Sequence, residues 1–287
     1  MIAALAGLAR PKVCLMVAAA TATGYLLARP APGPGLAMAV AAAALLAAGC
    51  SAVNQLQERR QDALMRRTRG RPLPTGRLTP AVAGWFAAAC LGAALALLAA
   101  VSLEIHAAAP LAVAGLVIAL YNGVYTPLKM LTPYCTLIGG AAGAAPPLLG
   151  FAAAGGQLAD PRILAVALVL YLWQVPHFWL LAREHLDDYR AAGFAVAPRF
   201  RRTSPPVFAW LASLCAAMCL TQAITPARPQ PAALAAAVAI AAVAALALAA
   251  RVRARPGFVL VNIAMGLFLA LLSAQALWPG PGLAVAG

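Results

Sequence analysis

Polar residues in this chain are few and grouped, and between the groups run apolar stretches of similar length from one end to the other. A helix needs about 20 apolar residues to cross the hydrocarbon of a bilayer. Segments of that order lie at approximately 12–29, 36–56, 81–102, 107–126, 134–154, 163–182, 205–225, 231–250 and 257–277, separated by proline, glycine or charge clusters. The pattern predicts an all-α polytopic membrane protein with nine spans. Alanine dominates several of them, and such small side chains let helix backbones approach closely, which favours a tight bundle. With no linker in evidence, residues 1–287 are expected to form a single domain. The first span follows Arg10 and Lys12 as a secretory signal would, but its apolar core runs into "GYLLARP" without a small-residue cleavage pattern, so it is expected to stay as a transmembrane helix.

Composition agrees: 64% of residues are hydrophobic and 10% charged, far from a soluble domain. The formal net charge of +14 could suggest a nucleic-acid partner, but its placement argues for membrane topology. With the N-terminus inside, 18 of the 21 Lys and Arg residues fall on one side, leaving Arg29, Arg162 and Arg228 on the other. The positive-inside rule then predicts a multi-pass protein of the cytoplasmic (inner) membrane, in contact with lipid, its N-terminus cytoplasmic and its C-terminus outside. The six cysteines form no CxxC pair and read as buried thiols.

Seven acidic residues are present, and five of them form two clusters: Glu58 and Asp62 after the second span, and Glu184, Asp187 and Asp188 after the sixth. Four helices lie between, so both clusters emerge on the same side and can face one cavity. Asn54, Glu58 and Asp62 recur at i, i+4 and i+8, which places them on one side of a helix continuing out of the second span. Glu184 and Asp188 are also four apart, and the same stripe carries His177 deeper in the sixth span. Carboxylates on two facing helices suit Mg²⁺, which keeps several waters and is commonly held by one or two carboxylates together with substrate phosphate oxygens. The arginines of "NQLQERRQDALMRRTRGRPLP" (54–74) offer forked donors that match such oxygens. Together they point to a diphosphate held through a metal at one membrane surface. The plainer alternative is a positive-inside anchor whose acids only pair with neighbouring arginines.

The blocks "ARPKV" (9–13), "NQLQERRQDALMRRTRGRPLPTGRLTP" (54–80), "YNGVYTPLKMLTP" (121–133), "GAAGAAPPLLG" (140–150) and "WQVPHFWLLAREHLDDYRAAG" (173–193) occur in this order. In that they resemble the UbiA superfamily of intramembrane prenyltransferases, and within it the protohaem IX farnesyltransferases, or haem O synthases. The resemblance covers most of the chain. It implies a nine-helix bundle with a central cavity open to the cytoplasmic side, and a Mg²⁺-dependent reaction that joins the farnesyl group of farnesyl diphosphate to haem b, a substrate rather than a retained cofactor. Carried onto this sequence, it puts the metal at Asn54, Glu58, Asp62 and Asp188, with Glu184 beside them, and the diphosphate at Arg66, Arg67, Arg71 and Lys129. His177, Tyr121, Tyr125 and Trp173 become candidates for contact with the haem acceptor or the allylic cation. It further implies a haem A synthase or oxidase assembly factors as partners, while the one-sided placement of the positive charge already argues against nucleic acid. Arg60 stands where many bacterial relatives carry a further Asp, Met130 follows Lys129 where a second basic residue is common, and "FAVAP" replaces the usual Pro-Met after the Asp-Tyr pair.

Two rivals remain at this stage. A superfamily relative acting on a quinone precursor or another aromatic ring would share the fold and metal site. An ion-coupled transporter would place ionisable residues near the bilayer midplane, whereas the mid-span segments here are uncharged.

Overall fold

The computed structural model describes residues 1–195, 205–225 and 254–277, and those residues are helical with connecting turns. Helices α1 (Ile2–Ala9), α2 (Pro11–Ala28), α3 (Pro34–Gln57) and α4 (Arg59–Leu64) lead to α5 (Pro80–Glu104). Then α6 (Ala109–Ile118) runs through a π-helical segment (Ala119–Tyr125) into α7 (Thr126–Leu128). The remaining helices are α8 (Cys135–Ala153), α9 (Pro161–Glu184), α10 (Leu186–Ala191), α11 (Pro205–Ile224) and α12 (Ala254–Leu277).

Among the described residues, seven helical segments are long and apolar enough to cross a membrane. They coincide with seven of the expected spans. An eighth, 205–225, appears as α11, whose apolar stretch Ala209–Ile224 is shorter. The expected span at 231–250 lies outside the described residues.

Local chemistry explains most boundaries. Pro11, Pro34, Pro80 and Pro161 sit in the first turn of their helices, where a missing N–H costs nothing. The Thr79 hydroxyl accepts from the Val82 N–H and the Asp160 carboxylate from the Arg162 N–H, capping α5 and α9. Two helices expected to run on are interrupted instead. Glu58 (φ −95°, ψ 11°) divides α3 from α4, and His185 (φ −119°, ψ 31°) divides α9 from α10. Helix α1, ahead of the first span, is a further addition to the expected set.

The bundle is tight because its small residues meet. A Cβ added to Gly24 of α2 would lie 2.0 Å from the Pro147 carbonyl oxygen, and one added to Gly150 of α8 would lie 1.9 Å from that of Thr21. These two backbones therefore pack without side chains between them, as close helix crossings in lipid require. A buried cluster including Phe151, Ile163, Val166, Met218, Met265 and Leu272 joins α8, α9, α11 and α12. Large apolar side chains such as Trp85, Leu103, Leu116 and Leu267 point outward and are exposed. That inversion suits a lipid solvent.

Candidate active site

Helices α2, α3, α4, α8, α9 and α12 and the π-helical segment enclose a cavity of about 710 Å³. Alanine, valine, leucine and aromatic side chains form most of its wall, and among the described residues its only acids are Glu58 and Asp62. Asn54, Glu58 and Asp62 all border it and are buried. The break at Glu58 does not spoil their register, because the Glu58 N–H still donates to the Asn54 carbonyl (2.9 Å) and the Asp62 N–H to the Glu58 carbonyl (2.8 Å). The i, i+4, i+8 row expected from the sequence is thus kept across a local change of helix.

Each acid has a basic partner. Lys129 Nζ donates to Glu58 Oε1 at 2.7 Å, and Arg71 donates to Asp62 Oδ2 at 2.6 Å. Arg66 Nε donates to Asp188 Oδ1 at 3.0 Å, and the Arg67 N–H to Asp188 Oδ2 at 3.2 Å. The second acidic cluster is thereby tied to the first loop across 122 residues of chain. The Arg66 guanidinium, assisted by the Arg67 N–H against the opposing effect of burial, holds the Asp188 carboxyl below the usual carboxylate range.

Other expected residues fall into place unevenly. Arg67, Arg71, Lys129, His177, Tyr121, Tyr125 and Trp173 all border the cavity. Asp188 is buried behind its wall, while Arg66 is exposed. Glu184 is exposed and borders no part of the cavity, because α9 ends there and the break at His185 takes Glu184 and Asp188 off a common stripe. Among the described residues, no three His, Cys, Asp or Glu side chains gather closely enough to hold a metal by themselves.

The donors present nevertheless fit a divalent cation that keeps waters and shares its shell with phosphate. Asp62 Oδ1 is buried with no hydrogen-bond partner among the described residues, which is costly unless another group completes it. Asn54 donates through Nδ2 to Thr126 Oγ1 at 3.1 Å, leaving its carbonyl oxygen as an acceptor. Thr126 in turn donates to the Tyr121 carbonyl at 2.8 Å, five residues back, a bond that the π-helical geometry provides. The same segment is cross-tied to α3, with Gln57 Nε2 donating to the Asn122 carbonyl (2.9 Å) and Asn122 Nδ2 to the Cys50 carbonyl (3.0 Å).

Aromatic rings line the apolar part. Tyr121 and Tyr125 have ring centroids 5.6 Å apart, Tyr125 and Phe178 5.8 Å, and Lys129 Nζ lies 4.5 Å above the Tyr125 ring. Gly139 makes room for that ring, since a Cβ there would come within 2.7 Å of it. His177 stacks at an angle between Trp173 (4.8 Å) and Phe258 (4.7 Å), and its Nδ1 has no hydrogen-bond partner among the described residues. Trp173 is held by an Nε1 hydrogen bond to the Val261 carbonyl at 3.1 Å.

Sequence reasoning gave no site role to Thr126, which holds the Asn54 amide, nor to Phe178, Phe258, Arg10 and Lys12, which border the cavity. The last two had a signal, since they form "ARPKV", but their charge was assigned to topology alone.

An apolar helical bundle closed around a cavity, with an Asn-and-acid helix and opposed basic side chains at one end, defines an intramembrane prenyltransferase architecture. Solved structures share the fold. One is a structure of digeranylgeranylglyceryl phosphate synthase, with a TM-score of 0.74 at 18% identity over 96% of this chain and 98% of that one. Another is a UbiA homologue from Archaeoglobus fulgidus bound to DMAPP and Mg²⁺, with a TM-score of 0.68 at 18% identity over 95% of this chain and 99% of that one.

The chain belongs to the UbiA prenyltransferase family, whose family model matches residues 16–272. It is a multi-pass membrane protein. Similar proteins include the protohaem IX farnesyltransferase of Geobacter sulfurreducens, 42% identical over 217 residues, or 75% of this chain and 78% of that one. The protohaem IX farnesyltransferase of Oleidesulfovibrio alaskensis is 44% identical over 196 residues, 67% of each chain.

Proposed function

We propose that this protein transfers the farnesyl group of farnesyl diphosphate to a vinyl group of haem b, with addition of water, to give haem O. The observation that carries the reading is a cavity in which Asn54, Glu58 and Asp62 meet Arg71 and Lys129 at one end and the aromatic wall around His177 lines the body. The similarity to protohaem IX farnesyltransferases supplies the acceptor.

The diphosphate would sit at the charged end, with Arg67, Arg71 and Lys129 donating to its oxygens and the isoprenoid along the apolar wall. Burial there contributes about 0.8 kcal/mol per methylene. Asn54, Glu58 and Asp62 would hold Mg²⁺, which supplies Lewis-acid neutralisation of the leaving diphosphate. Asp188 acts from behind, fixing the Arg67 backbone and the Arg66 side chain. As the allylic carbon–oxygen bond breaks, both bonding electrons leave with the diphosphate, and the basic side chains, already in place, stabilise the growing negative charge. Tyr121 and Tyr125 turn ring faces toward the cationic carbon and shield it from water. The vinyl π electrons form the new carbon–carbon bond. Water then adds to the cation beside the porphyrin and loses a proton, leaving a hydroxyl. His177 lies against the acceptor's place in the aromatic wall.

The charged end would face the cytoplasm, with the N-terminus inside and the C-terminus outside the inner membrane. The product would pass to a haem A synthase or an oxidase assembly factor.

The test is mass spectrometry of pigment extracted after incubating the purified, detergent-solubilised protein with haem b, farnesyl diphosphate and Mg²⁺, beside a chelator control. The expected product is heavier than haem b by one hydroxyfarnesyl group and disappears with the chelator. Diphosphate release only with an aromatic acceptor, and none with haem b, would overturn the reading in favour of quinone-precursor prenylation.

A further inference from the structure

Among the described residues, Arg71 and Lys129 each face an acid within ion-pair distance, whereas Arg10 and Lys12, which border the same cavity, do not. Arg10 is half-buried and Lys12 exposed, so both side chains can turn toward an anion that enters from the cavity's open end, where ionised partners make the stronger hydrogen bonds. Arg10 forms the elbow between α1 and α2, and its backbone is left-handed (φ 55°, ψ 68°), a conformation disfavoured for a residue with a Cβ.

The surroundings hold that elbow. Buried Gln55 donates its Nε2 to the Leu8 carbonyl at 2.9 Å and to the Gly7 carbonyl at 3.3 Å, the last turn of α1, and the Arg10 N–H donates to the Ala6 carbonyl at 3.2 Å. Gln55 follows Asn54 directly, so one turn of α3 serves both the diphosphate end and the Arg10 elbow. Arg10 borders the same cavity as His177 of the aromatic wall. Glu58 and Asp62 are already matched by Lys129 and Arg71, which leaves Arg10, Lys12 and Arg67 as surplus positive charge, and of these Arg67 stands with Arg71 at the diphosphate end.

We infer that Arg10, with Lys12 at the cavity mouth, forms a carboxylate-binding subsite for the acceptor, a planar aromatic macrocycle carrying its acid groups along one edge. The inference rests on haem b as the acceptor, whose two propionates supply those groups. The shared chemistry, an anion, could also belong to the donor's diphosphate, and the experiment separates the two.

The purified full chain is titrated with haem b and with its dimethyl ester, which keeps the ring, iron and vinyl groups but removes both negative charges. Binding is read from quenching of tryptophan fluorescence. Wild type is expected to favour the diacid by about tenfold, the scale of a charge-assisted pair. Arg10→Gln is expected to erase that preference by weakening the diacid alone. In turnover, the same variant raises the KM for haem b and leaves that for farnesyl diphosphate in place. Equal binding of diacid and diester by wild type overturns the subsite, as does a rise confined to the farnesyl diphosphate KM. Diacid preference without any farnesylated product keeps the subsite and defeats the proposed reaction. Should Arg10→Gln fail to fold, the ester comparison on wild type and the milder Arg10→Lys carry the decision.

Discussion

Replacing Asp62 by Asn changes one charge at nearly constant shape and separates two roles. The Asp62 side chain is 1% exposed and Arg71 18%, with 2.6 Å between the charged atoms. Removing one partner of a buried pair typically costs about 3–5 kcal/mol, and the partial exposure of Arg71 places this case near the lower bound. For a chain of this size that corresponds to a fall in thermal midpoint of roughly 6 °C or more. The catalytic effect is separate. Loss of one preorganised group that stabilises developing charge costs about 10²–10³ in kcat, and under the proposed metal role the Mg²⁺ concentration for half-maximal rate should rise, because Oδ1 has no hydrogen-bond partner among the described residues and is free to meet a cation. The assays are haem farnesylation against Mg²⁺ and thermal unfolding in detergent, on Asp62→Asn, Arg71→Gln and the double variant. Removing both charges together should restore much of the stability without restoring turnover, and Arg71→Gln alone should raise the farnesyl diphosphate KM without moving the Mg²⁺ midpoint. A folded Asp62→Asn protein with wild-type turnover, or a double variant that regains it, would refute the metal role and leave Asp62 as the counter-ion of Arg71.

Thr126→Val keeps shape but removes the acceptor for Asn54 Nδ2. A hydrogen bond of about 0.5–1.5 kcal/mol is lost, so the Mg²⁺ midpoint should rise a few-fold with little change in unfolding temperature; an unchanged midpoint would show that Thr126 does not orient the amide. Arg66→Ala frees the Asp188 carboxyl to return toward the usual carboxylate range. Because the folded value is depressed, the pair's stabilisation is present above the unfolded carboxylate pKa and is lost as pH falls through the folded one, so the acid limb of stability and activity should shift to higher pH in the variant. Arg66 is 76% exposed, so the stability change should be small and weaken with salt, measured by pH-dependent unfolding at two ionic strengths. Gly150→Ala puts a Cβ at 1.9 Å from the Thr21 carbonyl oxygen, forcing α2 and α8 apart. It should lower the unfolding temperature and the yield of monodisperse protein, whereas Gly84→Ala, where a Cβ meets nothing within 4 Å, should not.

Much of this protein is written locally in its sequence. Apolar runs of membrane length, prolines at first turns and the caps Thr79 and Asp160 are signals spread over a few residues, so the described spans match the expected ones closely. The Asn54, Glu58, Asp62 row was legible for the same reason, since helical spacing puts those side chains on one face whatever surrounds them.

The tertiary structure decided what local periodicity cannot. The Arg66 and Asp188 pair joins the turn after α4 to helix α10 across 122 residues of chain, and Glu184 is carried away from the cavity by a helix break that no proline or glycine announces. The π-helical turn that orients Thr126 depends on cross-ties from Gln57 and Asn122, and the left-handed Arg10 elbow depends on Gln55. These are conformations the local chain disfavours, stabilised by partners distant in sequence, and for that reason they became visible only once the helices were packed.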